Sequence, residues 1–110
     1  MAIAYKTQQV QGTASASTYA TLYSTPAATT AVLSTISICN TASTAATYRI
    51  GVCGSASSPG VGEHVVYGAT VPANDTVFLT VGLSLSALKF LRVSSSASTV
   101  DFCGSVAEIT

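Results

Sequence analysis

Charge is what this chain has least of. Four Lys and Arg and four Asp and Glu are spread over 110 residues, with one histidine, one methionine and no tryptophan. Hydrophobic residues make up 48% of it. An ordinary soluble surface is roughly 25–35% charged, which keeps neighbouring molecules apart. Here the surface falls to Ser, Thr and Ala, which fill 49 positions. Such a surface is easily desolvated, and with zero formal net charge it repels its own copies weakly. The composition favours a protein that lives in an assembly.

Other absences exclude whole classes of function. Lys6, Arg49, Lys89 and Arg92 are scattered among Glu63, Asp75, Asp101 and Glu108. No basic patch therefore exists to displace counterions from phosphates, and no direct nucleic-acid partner is expected. No stretch reaches the ~18 consecutive apolar residues of a membrane span, so no membrane partner is expected either. Met1 to Lys6 lacks the basic and apolar segments of a secretory signal. Cys39, Cys53 and Cys103 are odd in number and form no CxxC pair. They read as reduced thiols of a cytosolic product, buried as small hydrophobes.

Chemistry lacks its parts. His64 stands beside Glu63, but adjacent strand residues point to opposite faces, and no nucleophile is at hand. Metal spacings such as HxxxH are missing, and the glycines around Gly51 to Gly62 precede no helix that could hold phosphate. No catalytic residue, metal or cofactor is expected. Asn74-Asp75-Thr76 matches a glycosylation pattern but reads as a turn, since Asn and Asp bond their own backbone.

What is present is alternation. The length fits one domain over 1–110, apolar enough to fold. Strands are expected at Tyr5–Gln11, Thr18–Ser24, Thr30–Asn40, Ala46–Cys53, Glu63–Tyr67, Thr76–Leu83, Leu88–Ser94 and Thr99–Ile109. Tyr19, Thr21 and Tyr23 should share one face, as should Val32, Ile36 and Ile38, then Tyr48, Ile50 and Val52, then Val77, Leu79 and Val81. Pro26, the run Asn40 to Ala45, the loop Gly54 to Gly62 and Val71 to Asp75 punctuate them. Ser84 to Arg92 also has helical spacing, which its Ser-rich, β-branched surroundings outweigh. About eight strands at roughly ten-residue intervals predict an all-β, antiparallel β-sandwich, jelly-roll or Ig-like.

The run Thr21 to Asn40 is more specific than composition. Thr21-Leu22-Tyr23-Ser24-Thr25-Pro26-Ala27 leads into an alternating strand ending at Cys39-Asn40, then Thr47-Tyr48-Arg49-Ile50. Glu63 to Tyr67, Val71 to Thr76, Leu79 to Leu83 and Phe102 to Ile109 continue the order. Over nearly the whole chain this resembles small virion structural proteins of tailed bacteriophages, especially those infecting cyanobacteria and marine bacteria. The loop after Cys53 and the surroundings of Leu91 and Phe102 depart from the commoner pattern.

The resemblance implies a non-enzymatic β-sandwich component of the virion, made in the bacterial host cytoplasm. It would decorate and cement the capsid, with the major capsid protein and copies of itself as partners. Members look alike whether they sit on head, neck or tail, so a tail, baseplate or fibre component is the alternative. A glycan or host-surface binding module using the tyrosines and the Ser55 to Gly62 tip is a third reading. Exposure and turn chemistry mark Tyr5, Gln8, Gln9 and Val10 of the opening strand, Ser57, Pro59 and Val61 of the loop, and Ile109 as contact residues.

Overall fold

The computed structural model describes residues 2–110. The alternating segments become β1 (Ile3–Gln11), β2 (Ala20–Ser24), β3 (Thr30–Asn40), β4 (Ala46–Cys53), β5 (His64–Val71), β6 (Thr76–Leu85), β7 (Phe90–Ser95) and β8 (Val100–Ile109). No helix occurs among the described residues. The helically spaced window ends β6, turns over Ser86 to Lys89 and starts β7, with Leu88 at φ 66° in the turn.

A first sheet has the order β1-β8-β3-β6 and a second the order β2-β7-β4-β5. Antiparallel pairs nest: β1 with β8, β2 with β7, β3 with β6, β4 with β5. One long hairpin rolled up so that successive pairs fall alternately in two sheets has this connectivity. It is the double-sheet jelly roll, which decides between the two sandwich topologies.

Leu33, Ile36, Ile38, Phe102 and Val106 of the first sheet meet Tyr48, Ile50, Leu91 and Val93 of the second, all buried. Tyr48 and Phe102 pack edge to face, 6.4 Å between ring centres. Burying each large side chain contributes about 1.5–3 kcal/mol.

Bulges move two of the expected faces. β3 has one residue more than β8 between Leu33 and Thr35, so Ser34 and Thr35 both face outward. Ala31 and Leu33 therefore point inward with Ile36 and Ile38, while Val32 lies outside. In β2 the extra residue falls at Leu22, which turns both Leu22 and Tyr23 inward. Tyr19 precedes the strand and lies over the second sheet, where its hydroxyl meets His64. Period two does not survive an inserted residue. Two further corrections concern the cysteines: Cys53 is buried, but Cys39 and Cys103 are only half-buried, on the outer side of the first sheet.

Polar residues pin the loops at one end of the roll. Asn40 is buried; its Nδ2 donates to the Thr44 carbonyl at 2.8 Å and lies 3.3 Å from that of Pro72. Its Oδ1 accepts from Ala42 N–H and the Thr99 hydroxyl. Three loops thus hang on one amide. Buried Ser95 donates from Oγ to the Thr13 carbonyl, and its N–H bonds Thr13 Oγ1. Beneath them Gly12 admits no Cβ, because Ser95 Oγ and the Val100 carbonyl occupy that space.

Candidate assembly surface

The antiparallel register lays out the first sheet's outer face row by row. Ile3, Tyr5, Thr7, Gln9 and Gln11 of β1 stand beside Ile109, Ala107, Ser105, Cys103 and Asp101 of β8. Those in turn stand beside Thr30, Val32, Thr35, Ser37 and Cys39 of β3, and β6 adds Ser84, Thr80, Phe78 and Thr76. Asp101 is the one formal charge in these rows. Every residue in them is exposed or half-buried. Tyr5 is 83% exposed, Phe78 69% and Ile3 52%. Shallow depressions of about 330 and 350 Å³ run along β1 and β8, one lined by Tyr5, Val32 and Ala107, the other by Gln9, Asp101 and Cys103.

The second sheet's outer face is cationic and partly covered, with Tyr67 on β5 still exposed. The loop after β4 folds back: Val52 N–H bonds the Glu63 carbonyl, and Pro59 occupies the space where a Cβ on Gly51 would sit. Arg92 holds two loops at once, donating from Nε to the Ser57 carbonyl, from Nη2 to that of Tyr19 and from Nη1 to Thr21 Oγ1. Arg49 stacks on Tyr67 with its guanidinium carbon 4.1 Å from the ring centre, a cation–π contact. His64 meets the edge of Tyr67 at 4.8 Å and bonds the Tyr19 hydroxyl at 3.1 Å. Cys53 lies beneath this cover, and burial raises its thiol pKa.

Between the sheets, below β1, sits the only ion pair among the described residues, Lys6 to Glu108 at 3.0 Å. Buried Glu108 also accepts a hydrogen bond from Tyr23. That bond first, and Lys6 second, hold its carboxyl below the usual carboxylate range. Burial, reinforced by Glu108, pushes the Tyr23 phenol up.

The structure divides the expected contact residues. Tyr5, Gln9 and Ile109 share the first sheet's outer face. Gln8 and Val10 point to the other side of β1, half-buried, with Val10 packed on the core. Ser57 and Pro59 belong to the cover of the second sheet, and Val61 is fully exposed at the bend of that loop. The loop is therefore a lid on its own sheet rather than a free tip. Sequence reasoning missed Ile3 and Phe78. Phe78 was legible as the outward residue between inward Val77 and Leu79. Glu63 falls in the loop before β5 rather than on the strand with His64, its Oε1 accepting from Gly60 N–H.

No family model and no curated protein matches the chain. Solved structures do. A chain of infectious bursal disease virus, Gx strain, matches over 97% of this chain at 13% identity and a TM-score of 0.56. A chain of the T13 particle of that virus matches over 96% at 11% identity, also at 0.56. A chain of the cyanophage Pam1 capsid asymmetric unit is aligned over 97% of this chain and 82% of its own, at 17% identity and a TM-score of 0.39. The chain spans about a third of the length of the two bursal disease virus chains, at 32% and 30%. Those two likenesses show the fold: the strand path of this jelly roll is one that chains of a virus particle also follow.

Proposed function

We propose that the chain is a non-enzymatic structural protein of a phage virion, decorating the head and cementing neighbouring capsid subunits. The observation that carries this reading is the first sheet's outer face, four strands wide and holding one formal charge. Exposed Ile3, Tyr5 and Phe78 on that face gain from burial at about 25 cal/mol per Å² of apolar surface. Its Ser, Thr and Gln side chains carry no charge to desolvate. A stable interface takes about 800 Å² from each partner. The molecule measures 46 × 26 × 18 Å, and one broad face supplies that area. The fold shared with virus-particle chains and the phage-like runs at Thr21 to Asn40 support the same reading.

In this scheme the major capsid protein lies against Ile3, Tyr5, Gln9, Phe78 and Ile109. Gln8 and Val10 back that contact from the inner side of β1. Ser57, Pro59 and Val61 form a smaller patch on the far side, available to a neighbouring copy. The test is a stoichiometric gel and a density map of purified particles. A copy number comparable with the major capsid protein, and density on the shell, are expected. Density at the tail in a few copies assigns the tail reading instead, and absence from particles overturns both.

A further inference from the structure

Two sheets have four edges, and three of them are defended. β2 is five residues long and bulged between Thr21 and Tyr23. β5 is bulged twice against β4, with Gly68 at φ 76° in the first bulge. β6 takes three steps from Leu83 to Thr80 where β3 takes two, with Gly82 at φ 55° inside the bulge. Bulges and short strands are how proteins keep sheet edges from pairing with other chains.

β1 has none of these devices. It runs nine residues in unbroken register with β8 and contains no proline. Its one charge, Lys6, is tied to Glu108 on the inner side. It is also the most exposed strand, with Ala4 and Lys6 uncovered on the side that faces the second sheet. An antiparallel edge strand turns about half its N–H and C=O groups away from its single neighbour. On β1 those groups form a straight, unobstructed ladder.

We infer that β1 is the site of self-association, pairing antiparallel with β1 of a second copy about a two-fold axis through Thr7. A bare edge needs another bare edge, and the one this chain supplies is its own β1. Such an interface requires only that the strand complement itself. In this register Ile3 opposes Gln11 and Tyr5 opposes Gln9 on the outer side, while Ala4 opposes Val10 and Lys6 opposes Gln8 on the inner side. No like charges face each other directly. The axis is normal to the sheet, so the two uncharged outer faces join into one eight-stranded surface. The inference deepens the assembly reading above by naming the strand and the symmetry.

The test is the mass in solution across a concentration series. Wild type is expected to form a species of twice the 11.0 kDa chain mass. Thr7→Lys puts two ammonium groups opposite each other at the axis and should return the monomer. Thr80→Lys, on the same outer row at the β6 edge, should leave the dimer intact. With Cys39 and Cys103 changed to Ser, Thr7→Cys should oxidise to a covalent dimer and Thr80→Cys should not, a readout that does not depend on Thr7→Lys folding. A wild type that stays monomeric, or a dimer broken by Thr80→Lys and not by Thr7→Lys, overturns the pairing. A monomer carried in virions would leave the structural role standing, whereas a dimer absent from virions would remove that role and keep the pairing.

Discussion

The two outer faces of this sandwich arise from the same pleat and end in opposite states. On the second sheet, Arg92, Arg49, Tyr19, His64 and Tyr67 bind one another and the loops folded over them. Most charges and rings there are engaged internally, although Tyr67 stays 65% exposed. On the first sheet, Ser, Thr, Gln and a few apolar side chains stand in open rows with one carboxylate. A face whose arginine is tied into its own loops stabilises the monomer. A face of weakly hydrated groups with no cover gains when another protein lies on it. The two faces thus differ in how far the chain's own loops cover them.

The contrast can be broken at four depths. Asn40→Ala should act most strongly, because it orphans buried partners in three loops at once. A loss of about 3 kcal/mol by denaturant unfolding is expected, with both faces affected alike. Arg92→Ala should cost about 2 kcal/mol and free the Ser55 to Gly62 loop, read as faster proteolytic nicking there. On the other face, Tyr5→Ser with Phe78→Ser should leave monomer stability within about 0.5 kcal/mol yet abolish incorporation into particles. Loss of stability there to match Arg92→Ala would erase the distinction between the faces.

The smallest effect is confined to acid. Glu108 has its carboxyl lowered in the folded state by Tyr23 and Lys6, so the folded chain binds its proton less readily than the unfolded chain. Its contribution is present above the unfolded carboxylate range and is lost as pH falls through the folded value. Glu108→Gln should flatten the acid limb of a stability-against-pH curve. The first amide signals to broaden in wild type at low pH should belong to β1, which Lys6 ties to that carboxylate.

Eight strands in the right order were legible because one buried side writes itself into the chain as alternation. Thr30 to Asn40 and Ala46 to Cys53 were readable to the residue. Where alternation fails, the reading failed with it: Ser34 and Leu22 are single inserted residues that look like any other Ser or Leu. β5 was read too short, since Gly68 resembles a stop and is in fact a bulge through which the strand continues to Val71. In the candidate surface, Tyr5, Gln9 and Ile109 were found from exposure. Ile3 and Phe78 join them only because β8 and β3 set β1 and β6 in a common register.

By itself the sequence determined the fold class, the approximate strands and a surface poor in charge. Those properties are local or compositional, and each residue carries its share of them. Which sheet would keep its charges and which would lie bare was decided by the roll of the chain. Arg49, Tyr67, His64 and Tyr19 are separated by up to 48 residues and meet only across the β4–β5 ladder and the loop that precedes β2. The undefended edge at β1 is likewise a property of what lies beside a strand, which pairing creates and no single segment encodes.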